Sequence, residues 1–335
     1  MPKVYVVIVN FRQFDHTIEC LESLLKSSYK NFQIVLVDNS EDEVSIQKIM
    51  EWSIGSYCIT KTNLPELVYP LTEAKQKEIK FIHEVDLETS CVGFDEKILL
   101  VKTITNKGFA AANNIALRYL LRVNDLDFVW LLNNDTVVEK KSLDDLVQFT
   151  RVQNLDVGII GTKLLYYHNP QIIQAVGGVY NKWLATTMEI GNGEIDVGQY
   201  DKGNNIRFNY VVGASMFISK IFLQKVGLMD ESYFLYYEEY DWAKRGQSLS
   251  FKLGLCPGVK IYHKQGSSIS PRKDGMSRLA DYYSIRNRFH VTRKFFPELL
   301  PVIYLTIFPI LINRIKRKEF SRIGLIVRAI LNIRS

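Results

Sequence analysis

Three carboxylates crowd into four positions of FLYYEEYDWAKRG, residues 234–246: Glu238, Glu239 and Asp241. Like charges this close push at least one pKa upward, which suits a general base. The same composition also describes an acidic first helical turn that complements the helix dipole. The aromatic setting of Tyr233, Phe234, Tyr236, Tyr237, Tyr240 and Trp242 favours a cleft, with ring faces on which sugars could lie. A further acid, Asp135, closes the triplet Asn133-Asn134-Asp135 in LLNNDTVV, residues 131–138. A hard cation such as Mg²⁺ or Mn²⁺ takes oxygen ligands of this kind and keeps room for substrate phosphates. An Asp after a strand equally serves as a turn former or helix cap. His263, in IYHKQGSS, ends a β-like run before a Gly-Ser turn, where imidazole can ligate a metal, touch a phosphate or play a structural part. NKGFAAANN, residues 106–114, places small residues behind Gly108 at a helix start, which permits close approach of a ligand. It is neither a GxGxxG nor a P-loop, so it does not read as dinucleotide binding or ATP hydrolysis.

The elements that must hold these residues alternate. Short Val- and Ile-rich runs at Lys3–Val9, Phe32–Val37, Lys97–Thr103 and Phe128–Leu132 read as buried strands, with Val157–Ile160 as another. Helical spacing falls at 15–26, with Asp15 as its N-cap, and at 44–52, 108–122 and 142–153. Such alternation predicts a parallel sheet covered by helices on both faces, with ligands at the carboxyl ends of the strands. Asn10, Asp38-Asn39-Ser40, Asn106 and the Asn133–Asp135 triplet all fall at such ends. Residues 54–96 read as an insertion, too long for a plain connection. From Gly177 onward, glycines punctuate an antiparallel or irregular region.

The chain has 335 residues, about the length of two domains, and a net charge of +6. From Asn313 onward seven basic residues face one acid, which accounts for the whole excess, so the body is neutral. A neutral body excludes a general nucleic-acid surface. Four cysteines without a CxxC pair argue against zinc, and with no signal-peptide layout they predict a reduced, cytoplasmic protein. Leu299–Ile312 is apolar but short of the ~20 residues of a spanning helix, and Pro301 and Pro309 interrupt it. Ile323, Ile326, Val327, Ile330 and Leu331 then recur at helical spacing beside Arg322 and Arg328. The pattern predicts an amphipathic element lying on an anionic membrane surface; a core helix followed by a basic dimerisation arm is the alternative.

Taken in order, VVIVNF, VDNS, NKGFAAANN, LLNNDT, GASMFISKIFLQKVGLMDESYFLYYEEYDWAKRG, YHKQGSS and YYSIRNRF resemble the family 2 glycosyltransferases of GT-A fold, in particular their bacterial rhamnosyltransferase-like branch. The resemblance spans most of residues 3–290. It implies a Rossmann-like α/β nucleotide-sugar half over about 1–138 and an acceptor half over about 139–290; the apolar and basic pattern adds a helical, membrane-associating tail over 291–335. The resemblance implies that Asn10 and Asp38 contact the donor nucleotide and that Asn106, Gly108, Asn113 and Asn134 shape its site. Asp135, the last position of the Asp-x-Asp motif, would hold Mg²⁺ or Mn²⁺ with His263 near it. Glu239 would be the catalytic base, with Glu238 able to share the part. Asp241 and Trp242 would lie toward the acceptor, and Arg286, in the Arg-Asn pair after the acceptor region, would be structural or face a phosphate. Asn133 replaces the first acid of the motif, and Glu239 replaces the usual Asp.

The expected activity is inverting transfer of a sugar from dTDP-rhamnose or a UDP-hexose to a saccharide acceptor, lipid-linked, in cell-surface polysaccharide synthesis at the inner face of the membrane. An inactive nucleotide-sugar-binding scaffold is the alternative. A nucleotidyltransferase would need a Gly-rich basic loop after the first strand, and VNFRQFD lacks the glycines.

Overall fold

The computed structural model describes residues 1–69, 78–90, 93–152, 156–202, 206–264 and 277–333. The first half alternates as its hydrophobic pattern dictates: β1 (Val4–Asn10), α1 (Phe14–Leu25), β2 (Phe32–Asp38), α2 (Val44–Ser53), α3 (Pro65–Val68), β3 (Ile79–His83), α4 (Glu84–Thr89), β4 (Ile98–Lys102), α5 (Phe109–Leu120) and β5 (Phe128–Asn133). Then follow β6 (Thr136–Val138), α6 (Ser142–Val152), β7 (Val157–Tyr166), β8 (Asn169–Ala175), β9 (Gly178–Asn181), β10 (Thr186–Glu189), β11 (Ser215–Ser219), α7 (Lys220–Val226), α8 (Glu238–Ser248) and β12 (Lys252–His263). The chain closes with α9 (Arg278–Phe295), α10 (Leu300–Leu305), α11 (Ile307–Lys316) and α12 (Phe320–Ile330).

One sheet carries ten of these strands, in the order β3-β4-β2-β1-β5-β11-β7-β12-β6, with β8 on β7. From β3 to β5 it is parallel; β11 is antiparallel to both neighbours, and β12 runs parallel to β7. Side chains alternate across the parallel part, so Val4, Val6 and Ile8 of β1 enter one core and Tyr5 and Val7 the other. Burial on both faces is why these strands read as unbroken apolar runs.

The structure adds to or departs from the sequence expectations in four places. Helix α1 starts at Phe14, with Gln13 rather than Asp15 at its N-cap position. The 54–96 insertion builds α3, β3 and α4, and β3 pairs parallel with β4 to extend the sheet at its edge. Past residue 138 the same sheet is continued by β11, β7 and β12. In the tail, helical structure runs over Pro297–Lys316, which is 20 residues and apolar enough to cross a membrane by length and composition. Shortness therefore does not exclude a spanning segment. Little of this run is buried, but Ile303 and Ile307, together with Ile326 and Ala329 of α12, pack into an aromatic cluster with Phe289 and Tyr282 of α9.

Candidate active site

Register places the first group of residues. Strand β5 ends at Asn133, the chain turns through Asn134 and Asp135, and β6 leaves to pair with the end of β12. That pairing sets His263 opposite Thr136, next to Asp135, and Lys264 N donates to Asp135 O at 2.9 Å. His263 Nε2 lies 3.1 Å from Asp135 Oδ1 and 3.5 Å from Asn133 Nδ2. On its other side, His263 Nδ1 lies 2.8 Å from Gln174 Oε1 of β8. The Gln174 oxygen can only accept, so Nδ1 donates to it and the ring is oriented with Nε2 facing the carboxylate.

The Asp135 carboxylate and the His263 ring nitrogen, both buried, thus stand side by side 3.1 Å apart. Ligands in cis positions on an octahedral cation with bonds of about 2.1 Å stand about 3 Å apart, so the pair fits Mg²⁺ or Mn²⁺. Among the described residues no group of three His, Cys, Asp or Glu gathers to hold a metal. A carboxylate and an imidazole alone leave most coordination positions to water and phosphate oxygens, the usual arrangement where a cation bridges protein and nucleotide.

The strand ends that should line a nucleotide site are braced from within. Asn10 Nδ2 donates to Asp38 Oδ1 (2.6 Å), and Ser40 Oγ donates to the same oxygen (2.7 Å). Lys102 Nζ donates to Asp38 Oδ2 (3.1 Å). Asn10 Oδ1 accepts from Thr17 Oγ1 (2.7 Å), and Asn134 Nδ2 donates to that hydroxyl at 3.0 Å. Asn106 Oδ1 accepts from Asn39 Nδ2 (2.8 Å) and Gly108 N (3.0 Å), while Asn113 Nδ2 donates back to Phe109 O at 2.9 Å. The polar side chains of Asn10 and Asp38 thus fix the shape of the strand ends, and both residues are fully buried.

Gly108 couples this region to the carboxylate cluster. Its φ is +97°, and a Cβ there would stand 2.3 Å from Phe234 O. Phe109 N donates to that same oxygen at 3.0 Å, which pins the start of α5 to the loop before α8. Gly108→Ala meets both a disfavoured φ and a backbone clash, so it is expected to destabilise the fold by about 2 kcal/mol or more. A melting curve within a degree of wild type would refute this.

The loop before α8 is strained. Tyr236 and Tyr237 take φ of 69° and 74°, left-handed values that cost a non-glycine residue about 1–2 kcal/mol each. Asn287 Nδ2 compensates by donating to Leu235 O (2.7 Å) and Tyr236 O (3.0 Å), and Tyr237 OH donates to Ala185 O (3.0 Å). Arg286 NH1 donates to Ser232 O (2.8 Å), so the Arg-Asn pair helps to hold the loop. The strain delivers Glu238 and Glu239 into the first turn of α8, each with an Oε2 that is buried and without a partner. Burial pushes Glu239 up to about 7, helped by the Glu189 charge. Burial and the Glu239 charge hold Glu238 well above the ordinary carboxylate range. A Cβ on Gly213 would lie 4.0 Å from both the Glu239 carboxyl group and Phe109. The next residue, Ala214, accepts from Asn133 N at 3.0 Å, so only Gly213-Ala214 separates Glu239 from the strand end that leads to Asp135.

Asp241 and Trp242 sit elsewhere. Both are wholly buried: Asp241 pairs with Arg245 (2.7 Å) and Lys294 (2.5 Å), and Trp242 Nε1 donates to Gly227 O (2.8 Å). They point into the core because α8 turns them away from its Glu239 face. Tyr233, Tyr237 and Tyr240 are likewise core residues, so they offer no platform to a sugar.

Sequence reasoning did not single out Gln174, Lys102 or His16. No local signal marks Gln174, which reaches His263 from a separate hairpin. His16 lies in the first turn of α1, with a buried Nδ1 that lacks a partner. Burial and the Lys264 charge depress its pKa, with Asp135 pulling the other way. Lys264 itself donates to Glu19, which also accepts from Tyr167 OH (2.6 Å) and Thr62 Oγ1 (2.5 Å), so the start of the insertion is tied to the chain beside Asp135.

The profile of Glycosyltransferase like family 2 matches residues 68–281. The chain belongs to this family. A family relative, the low-salt glycan biosynthesis hexosyltransferase Agl10 of Haloferax volcanii, is 27% identical over 213 residues, covering 62% of this chain and 64% of that protein. The dTDP-rhamnosyl transferase RfbF of Shigella flexneri is 23% identical over 272 residues, 76% of this chain and 86% of that one. In fold, the chain is similar to GalNAc-T7 solved with UDP, GalNAc and Mn²⁺ (TM-score 0.60, 14% identity, 91% of this chain and 50% of that one). It is also similar to the mannosyltransferase PcManGT of Pyrobaculum calidifontis with GDP-Man and Mn²⁺ (TM-score 0.52, 12% identity, 99% and 87%). The match thus spans under two thirds of Agl10 and half of the GalNAc-T7 chain. The family 2 architecture is GT-A-like, a mixed central sheet whose strand ends carry the polar residues described above.

Proposed function

We propose that this family 2 protein is an inverting glycosyltransferase that moves a hexosyl or rhamnosyl unit from a nucleotide sugar to a saccharide acceptor. The observation that carries the reading is the Glu238–Glu239 pair, each with a buried, unpartnered Oε2 and a raised pKa, separated by Gly213-Ala214 from the strand end that leads to Asp135. Relatives named as hexosyl and rhamnosyl transferases support the sugar class.

In the proposed reaction, Glu239 takes the proton from an acceptor hydroxyl as that oxygen attacks the anomeric carbon. Attack comes from the face opposite the leaving group, so the bond to the diphosphate breaks as the new bond forms and the configuration inverts. The nucleoside diphosphate leaves with the electron pair. Asp135 and His263 would hold a Mg²⁺ or Mn²⁺, whose charge would offset that of the departing diphosphate. The braced strand ends orient the donor, and closure around two substrates keeps water from competing. The acceptor we propose is lipid-linked, because α10–α12 expose Phe308, Ile312, Ile315 and Phe320 beside basic residues, which suits peripheral attachment to an anionic cytoplasmic leaflet.

A thermal-shift panel tests the donor reading. Binding at about a hundred times Kd adds about 2.7 kcal/mol to apparent stability. Among dTDP-rhamnose, UDP-glucose, UDP-galactose, UDP-GlcNAc and GDP-mannose, one donor is expected to raise Tm by several degrees, and only with Mn²⁺. No shift from any donor, in folded protein, would overturn the reading. A shift without turnover on any saccharide would favour the scaffold.

A further inference from the structure

Helices α9, α11 and α12 enclose a cavity of about 500 Å³ whose wall carries Arg288, Arg314, Arg317 and Arg322 against a single carboxylate, Asp281. Asp281 is already shared: Arg314 NH2 donates to both its oxygens (2.9 and 3.0 Å), and Arg322 NH1 donates to Oδ2 at 2.7 Å. Glu319 takes Arg314 NH1 at 2.6 Å. Four guanidinium groups therefore meet two carboxylates, and two positive charges stay in excess. Arg288 is the most telling. It is 6% exposed, and its NH2 donates to neutral oxygens, Leu184 O (2.6 Å) and Thr306 Oγ1 (2.8 Å). Among the described residues no carboxylate pairs with it, and its Nε is buried without a partner, as is the Nε of Arg314. A buried cation without a counter-charge is strongly unfavourable, so the site is built for an anion that arrives from outside. Guanidinium forks match phosphate oxygens in pairs, and a phosphomonoester or diphosphate carries the charge needed.

The surroundings indicate what bears that phosphate. The helices that close the cavity expose Phe308, Ile312, Ile315 and Phe320, and Ile310 and Pro309 line its apolar side. An anion site set among exposed apolar side chains fits a headgroup whose chain lies along those side chains. Arg288 also links the cavity to the loop before α8: it holds Leu184 O, and the next carbonyl, Ala185 O, accepts from Tyr237 OH, directly before Glu238.

We propose that this arginine cavity binds the phosphate or diphosphate headgroup of a membrane amphiphile, the carrier end of the acceptor. The assignment rests on the lipid-borne acceptor proposed above. The full chain is floated with phosphatidylcholine vesicles containing either phosphatidic acid, a phosphomonoester, or phosphatidylglycerol, a diester, at matched surface charge and physiological salt. A smeared surface attraction treats the two alike, whereas a site for a doubly charged headgroup favours phosphatidic acid by about fivefold or more. That preference is expected to vanish in Arg314→Gln/Arg317→Gln. Arg317→Glu, on the cavity rim, gives a second reading should the double variant melt early. Equal binding of both vesicles to wild type, or an undiminished preference in folded variants, overturns the proposal. If inorganic pyrophosphate raises Tm through these arginines while the vesicles bind alike, the anion is soluble and the lipid assignment falls. Donor thermal shifts in the same preparations separate the two readings: a normal donor shift with no vesicle preference sinks the cavity alone, and a vesicle preference with no donor shift sinks the transferase.

Discussion

Glu239→Gln is expected to lower kcat for transfer by about a hundredfold to ten-thousandfold, to leave donor binding unchanged and to raise Tm above pH 7. The two effects have one cause. Burial lifts the Glu239 carboxyl from an ordinary 4.5 to about 7. The folded protein then holds this proton more tightly than the unfolded chain does. Its stabilising contribution is complete below about pH 4.5 and is lost as pH rises through about 7. At pH 8 the ionised group weighs against folding by about 1–3 kcal/mol, which an amide of the same shape removes. The rate has the opposite dependence, because only the carboxylate can take a proton: transfer should climb with pH and level off above about 7. Differential scanning at pH 5 and pH 8 checks the first part, since the stabilisation of the variant should be present at pH 8 and shrink at pH 5. An active Glu239→Gln beside a dead Glu238→Gln would move the base to Glu238.

The strands of the parallel half were legible because a parallel strand buried on both faces is written as an apolar run that stops where its end becomes polar. Asn10, Asp38 and Asn133–Asp135 were located this way, and all lie at strand ends. What each side chain does there was not legible. Asp38 looks the same in sequence whether it faces a ribose or, as here, accepts from Asn10, Ser40 and Lys102, because those partners come from three separate stretches of chain. Edge strand β3 was hidden for a different reason. It lies in a Lys- and Glu-rich stretch, and its side chains are mostly exposed, so no apolar period marks it.

The carboxylate cluster shows the same limit more sharply. Adjacency in sequence put Glu238, Glu239, Asp241 and Trp242 together, but a helix turns successive residues by 100°. Glu239 therefore faces Gly213 while Asp241 is sealed against Arg245 and Lys294. Likewise, aromatic residues at a density suited to sugar stacking proved to be packing around a strained turn. Composition identified a site here, and only the positive φ of Tyr236 and Tyr237 explains which carboxylates it presents.

Asp135→Ala is expected to abolish the Mn²⁺-dependent part of donor binding, and Gln174→Leu to weaken it by about tenfold to a hundredfold with no ligand removed. The second variant is the sharper test. Gln174 Oε1 lies 2.8 Å from His263 Nδ1 and accepts from it, which fixes the ring with Nε2 3.1 Å from Asp135 Oδ1, the place from which it would share a cation with the carboxylate. A leucine accepts no hydrogen bond. The ring then loses the contact that fixes its orientation as a ligand beside Asp135. Gln174→Glu keeps an acceptor opposite Nδ1 and should keep the metal response. A Mn²⁺ titration of the donor-induced Tm shift reads all three variants without any need for turnover. If Gln174→Leu responds to Mn²⁺ as wild type does, His263 is not a ligand and its contact with Asp135 is an ordinary buried hydrogen bond. If Asp135→Ala does so as well, the donor diphosphate is neutralised by cationic side chains instead, and Lys264, whose backbone N–H already donates to Asp135 O, is the nearest such group to examine.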